Sequence, residues 1–68
     1  MTVTETYAVT GMTCDHCVQA VTGELIRLPG VRDVRVDLSS GRITVRSDGM
    51  VPLDEVRAAV DEAGYALS

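Results

Sequence analysis

The 68-residue sequence contains no Phe, no Trp and no Lys. Without Phe or Trp the core must be assembled from Val, Leu, Ile and Ala, with Tyr7 and Tyr65 as the only aromatics. Two tyrosines cannot supply the interleaved stacking surface that single-stranded nucleic acid needs. Without Lys, all positive side-chain charge rests on six arginines against ten acidic residues, a formal charge of −4. The basic stripe that a phosphate backbone demands is therefore missing, and nucleic acid is excluded as a partner. No run approaches the ~20 apolar residues of a membrane-spanning helix. The segment Met1 to Tyr7 has neither a basic start nor an apolar run, so it does not read as a signal peptide. Two cysteines, Cys14 and Cys17, are too few and too close for a disulfide framework and read instead as a local thiol site.

What is present fits one domain over residues 1–68, in a cytoplasmic protein whose thiols stay reduced. Met1 and the clean end at Ser68 favour a complete small protein over an excised domain. A core this thin supports a net stability of roughly 3 to 5 kcal/mol. The acidic surface suits solubility and encounter with a basic protein face.

Val3, Tyr7 and Val9 alternate with Thr4, Thr6 and Thr10, the period of a half-buried strand that Gly11 ends. From about Asp15 to Leu28 the apolar residues Val18, Val21, Leu25 and Leu28 recur at helical spacing, and Pro29-Gly30 stops the helix. Val31, Val34, Val36 and Leu38 mark a second strand, Ser39-Ser40-Gly41 a hairpin turn, and Ile43 with Val45 a third strand. Arg32, Arg35, Asp37, Arg42 and Arg46 fill the remaining positions as a solvated face. Pro52 suits a first helical turn, and the stripe Leu53, Val56, Val60 and Ala63 follows, with acids early at Asp54 and Glu55 and Gly64 as C-terminal cap. Tyr65 to Leu67 remain for a short last strand, and Met50 reads as loop or core.

The two helical stripes have the same spacing 35 residues apart, which is an internal repeat of two strand-helix-strand units. The architecture that follows is α+β: a ferredoxin-like βαββαβ sandwich, with a four-stranded antiparallel sheet covered on one face by two helices. That topology puts the Gly11 to Cys17 loop, the Ser39 to Gly41 hairpin and the Gly64-Tyr65 turn at one end of the domain.

Two cysteines three apart at a helix start converge on one small object, and the N-terminal end of a helix favours thiolate over thiol. Thiolate is the form that binds metal and the form that attacks disulfides. Soft sulfur donors favour monovalent copper, for which two thiolates make a low-coordinate site. A closed zinc site needs four ligands, and Cys14, Cys17 and His16 leave at least one missing. A thiol-disulfide redox module is the second reading of the spacing, although the thioredoxin-type use has a larger scaffold and a proline beside the site. Haem attachment is excluded because Val18, not His, follows Cys17. The carboxylates form no paired, pocketed arrangement, so the chain is not read as an enzyme.

The segment Gly11-Met12-Thr13-Cys14-Asp15-His16-Cys17, opening the first helix of a βαββαβ chain that ends in Ala63-Gly64-Tyr65, resembles the heavy-metal-associated domain family. The resemblance covers essentially the whole chain and points to the branch of bacterial copper chaperones. It implies that Cys14 and Cys17 are the ligands of Cu(I), and that the metal passes by ligand exchange to a similar domain on a copper-transporting P-type ATPase. Carriers of mercury, zinc or cadmium share the motif. The metal-free chain is expected as a monomer, and exposed thiols allow a copper-bridged dimer. His16, about 100° around the helix from Cys17, points outward; it tunes the thiolates, joins a bridged dimer, or is simply solvated. Met12 is either a thioether donor or a core plug. Tyr65 either covers the thiolates, hydrogen-bonding near them, or packs in the core.

Overall fold

The computed structural model describes residues 2–67 and places six elements in the order read from the sequence. They are β1 (Val3–Thr10), α1 (Asp15–Ile26), β2 (Val31–Asp37), β3 (Arg42–Ser47), α2 (Leu53–Glu62) and β4 (Ala66–Leu67). The sheet order is β2-β3-β1-β4, and every pairing is antiparallel. Because β3 lies between β1 and β2, the first helix has to cross over a strand that arrives later in the chain. This is the split arrangement expected of the repeat.

Register decides which residues meet. Tyr7 opposes Ile43, which opposes Val36, and Glu5 opposes Val45, which opposes Val34. Paired residues share a sheet face, so Val9, Ile43 and Val45 sink beneath the helices with Tyr7, Val34 and Val36 packed around them. The opposite face carries the rows Thr4-Arg46-Asp33, Thr6-Thr44-Arg35 and Ala8-Arg42-Asp37, in which arginines stand beside aspartates. Arg35 reaches Asp33 at 3.3 Å. This is the solvated face expected from the charge pattern.

Both helical stripes differ from the sequence expectation by a rotation. In α1 the buried residues are Cys17, Val21 and Leu25, while Val18 is half-buried. In α2 they are Val56, Ala59 and Val60, while Leu53 is 50% exposed. Positions 18, 21, 25 and 28 spread over a wide arc, and the core selects the tighter i, i+4 ridge of 17, 21 and 25. Helix α1 also ends earlier than Leu28. The Leu28 N–H turns back to the Leu25 carbonyl at 3.1 Å, and Pro29 brings no N–H with which to continue. Met50, read as loop or core, stands in the β3–α2 loop and is 75% exposed.

Helix α2 closes with a Schellman motif: Tyr65 N–H donates to the Val60 carbonyl at 3.1 Å and Gly64 N–H to Asp61 at 2.9 Å, with Gly64 at φ +95°. The motif uses Tyr65 to leave the helix, so the last strand begins one residue later than expected. Ser47, the one buried polar side chain among the described residues, donates to the Gly49 carbonyl at 2.6 Å and leaves no orphaned group. Among the described residues, no helix is long and apolar enough to cross a membrane.

Candidate metal centre

The three connections expected at one end do meet there. The Val9 N–H donates to the Gly41 carbonyl at 2.8 Å, tying the end of β1 to the hairpin, and the bare Cα of Gly11 lies against the ring of Tyr65. Between these supports runs the short loop from Gly11 into α1. Gly11 takes φ +93°, a conformation that an L side chain rarely adopts, and turns the chain out of the strand. Met12 then drops into the core at 9% exposure, and Cys14 begins the helix as its N-cap with extended backbone, φ −155° and ψ 173°.

The Cys14 carbonyl accepts from the N–H of Cys17 at 3.1 Å and of Val18 at 3.3 Å, so the backbone hydrogen bonds of the first turn join the two cysteines. Their sulfurs approach to 3.4 Å as free thiols. The two are not equivalent. Cys14 is exposed, whereas Cys17 is 7% exposed and belongs to the core cluster beside Val21. The expectation that both thiols stand clear of the core is corrected here: the i, i+4 ridge that carries Val21 and Leu25 begins at Cys17.

The surroundings of Cys17 favour its anion. The backbone amide of Thr13, the Tyr65 hydroxyl and the Cys14 thiol donate to its sulfur, as does the Cys14 amide, and together they lower its pKa from 9.0 to about 6 against the opposing effect of burial. Tyr65 shows the reciprocal effect. Its own pKa is raised, first by the hydrogen bond that its hydroxyl gives to Cys17 and then by burial and the nearby thiolates.

Of the three accessory candidates, Tyr65 is half-buried with its ring packed against the core, and its ionisation is linked to that of Cys17. Met12 is a core residue. His16 is exposed on the first turn. Sequence reasoning missed the backbone amide of Thr13, whose role depends on the loop path rather than on residue type. Two surface concavities lie away from the thiols: one of about 350 Å³ on the open sheet face over Thr6, Arg42 and Thr44, another of about 230 Å³ beside Tyr7, Leu53 and Leu67. Among the described residues, no group of three or more His, Cys, Asp or Glu side chains converges on a point. The thiol pair stands without the further donors that a closed zinc site requires.

Comparison with known proteins places this geometry. The chain is 40% identical over 63 residues to a copper chaperone CopZ of Staphylococcus saprophyticus, covering 91% of this chain and 93% of that protein. It is 36% identical over 62 residues to copper-transporting ATPase 2 of Homo sapiens, where 90% of this chain matches 4% of the larger protein. A solved structure of a CopZ metallochaperone superposes with a TM-score of 0.90 at 31% identity, over 97% of this chain and all of that one. The heavy-metal-associated domain family matches residues 6–66, and with its fold and its paired thiols the chain belongs to that family.

Proposed function

We propose that the chain is a carrier of copper rather than an enzyme, that Cys14 and Cys17 bind Cu(I) as a two-thiolate site, and that the metal passes by thiolate exchange to the metal-binding domain of a copper-transporting P-type ATPase in the cytoplasm. The observation that carries this reading is the asymmetric sulfur pair: one thiol buried and favoured as thiolate, its partner 3.4 Å away and exposed, with no further ligand converging on them among the described residues. Two soft anionic donors satisfy monovalent copper and leave divalent zinc under-coordinated. The similarity to copper chaperones and to a segment of copper-transporting ATPases supports both the cargo and the kind of partner.

The asymmetry also orders the handover. Metal-sulfur bonds of about 2.3 Å hold two ligands of one ion on the order of 4 Å or more apart, so the sulfurs must separate from 3.4 Å as the metal enters. Cys17 is packed in the core, so Cys14, the exposed member of the pair, makes that movement. An incoming thiolate from the partner reaches the ion on the Cys14 side, forms a three-coordinate shared state, and displaces Cys14 first and Cys17 last. A saturated site would have no position for that third sulfur. The excess of acids on the helical layer, including Asp15 on the first turn of α1, suits a partner whose own thiol site has a basic rim.

The 3.4 Å sulfur contact also suits a dithiol that closes to a disulfide. Disulfide exchange, however, needs its activated thiolate to be accessible, and the sulfur with the depressed pKa here is the buried one. Anaerobic titration of the reduced chain with Cu(I) against a chromophoric chelator, with Zn(II) in parallel and native mass spectrometry to follow assembly, tests the proposal. Tight Cu(I) binding that zinc does not displace is expected, with a copper-bridged dimer appearing as copper exceeds one equivalent. Weak copper binding together with a stable, reversible disulfide would replace the carrier reading with the redox one.

A further inference from the structure

Two strands of the sheet have an edge without a partner over most of their length, and the two edges are defended unequally. Strand β2 carries Arg32, Asp33, Arg35 and Asp37 along its length and breaks register between Val31 and Asp33, features that discourage another strand from pairing there. Strand β1 pairs with β4 only at Val9 and Thr10. Among the described residues its stretch from Val3 to Ala8 pairs with β3 alone, and over that stretch it has one charged residue, Glu5, with neither proline nor a register shift.

The direction of the unpaired groups follows from strand alternation. The Val9 N–H donates toward the β3 side, to the Gly41 carbonyl, so the backbone groups of Glu5 and Tyr7 point that way too and those of Thr4 and Thr6 point to the open edge. Beside that edge is the hollow of about 230 Å³, walled by Tyr7 and Ala8 of β1, Leu53 and Arg57 of α2, and Leu67 of β4. Leu67 stands opposite Val9, so the next helix-facing place along the line of β4 is opposite Tyr7, at this hollow. The place after that is opposite Glu5, which is exposed and in no ion pair among the described residues.

An extended segment laid along this line would pair with the Thr4 and Thr6 backbone, sink an apolar side chain beside the half-exposed Leu53, and face Glu5 with its next helix-side residue. The Arg57 guanidinium disfavours a second cation in the hollow, which confines a basic side chain to the place opposite Glu5. Helix α2 already overhangs the seam, so the space admits a lone strand and not the helix-covered sheet of a second copy.

We propose that the open edge of β1 is a docking site for an extended segment of a partner protein, running antiparallel to β1, with an apolar residue opposite Tyr7 and a basic residue two places on, opposite Glu5. Backbone pairing supplies the hold, and the two helix-side positions supply the selectivity. Thr4 and Thr6 lie toward the end of β1 remote from Gly11 and the thiol loop, so a segment held here leaves Cys14 uncovered. The pairing does not depend on which metal the thiols take.

The probe is an acetylated, amidated pentapeptide, Leu-Thr-Arg-Thr-Val, added to the isotope-labelled, reduced and metal-free 68-residue chain. Amide shifts that saturate with peptide and stay within β1, β4 and the first half of α2 are expected, with slowed hydrogen exchange at the Thr4 and Thr6 N–H. A peptide of the same composition with Leu and Arg adjacent should bind several-fold more weakly, since one of the two then faces away from the helices. Glu5→Lys should weaken the parent peptide several-fold, and a peptide with Glu in place of Arg should recover the loss in that variant. A synthetic chain N-methylated at Thr6 should lose binding and keep its circular dichroism, because that N–H takes no part in the β1–β3 ladder; if it misfolds, the charge exchange at Glu5 decides. The proposal is overturned by unprotected Thr4 and Thr6 at millimolar peptide, by equal binding of the rearranged peptide, by an indifferent Glu5→Lys chain, or by shifts centred on Arg35 and Arg42 of the open sheet face. Protection of the same amides by self-association without peptide would also overturn it, in favour of a second copy as occupant.

Discussion

The two helices stand at equivalent places in a 35-residue repeat, yet they begin differently. Val21 corresponds to Val56 and Leu25 to Val60, and all four are fully buried. Val18 corresponds to Leu53, and neither is among the buried residues. In that frame α1 starts three residues ahead of α2, and the extra turn is Asp15-His16-Cys17. The sulfur site is this added turn together with its N-cap, Cys14. Helix α2 has Pro52 in the place equivalent to Cys17, at the opposite end of the domain from the thiols. The comparison separates two roles: the shared ridge holds helix to sheet, and the turn added to one copy projects beyond that ridge and is free to carry chemistry.

The strongest way to break this separation is to remove both sulfurs. Cys14→Ser with Cys17→Ser should abolish tight Cu(I) binding in the chelator competition while the far-ultraviolet dichroism remains that of the parent; retained affinity would falsify the site. The shared ridge should show the opposite behaviour. Leu25→Ala opens a cavity under a fully buried side chain and should cost about 2 to 5 kcal/mol in urea unfolding, comparable with the whole stability of so small a domain. Leu53→Ala, at a half-exposed position, should stay within about 0.5 kcal/mol. Equal losses at the two positions would restore the stripe read from the sequence and overturn the one seen in the fold.

A subtler distinction is in pH. Cys17 ionises at about 6 in the folded chain and near 9.0 when unperturbed, so between these values the unfolded state binds more protons. Stability should rise with pH across that window, and this contribution should be lost as pH falls through about 6. Chemical unfolding of the reduced, metal-free chain at a series of pH values should show the slope, and Cys17→Ser should remove it. The smallest effect is expected at His16, which sits on the added turn but outside the sulfur contact. His16→Phe should leave unfolding and copper stoichiometry unchanged, and a lost dimer in native mass spectrometry would instead give this residue a part in bridging.

Much of this was legible from residue order. Period-2 and period-3.6 patterns placed β1, β2, β3 and both helices, since those periods follow directly from backbone geometry. Helix rotation was less legible, because a run with apolar residues at 17, 18, 21, 25 and 28 permits more than one buried arc, and only the facing sheet chooses among them. Cys17 was read by its chemistry and not as a core residue for that reason. The Tyr65 hydroxyl was one of two readings. Its ring packs against the core and its ionisation is linked to that of Cys17, which no pattern along the chain can express.

The sequence by itself determined the order of elements, the repeat and the pair of thiols at a helix start, because each depends on local spacing. The tertiary structure decided that the thiols are unequal, one in the core and one in solvent. It also decided that the Thr13 backbone and Tyr65, 48 residues beyond Cys17 in the chain, act together to lower the pKa of the buried thiol. Proximity between distant segments is set by strand register and helix crossing, and these come into being only when the sheet and the two helices pack against one another.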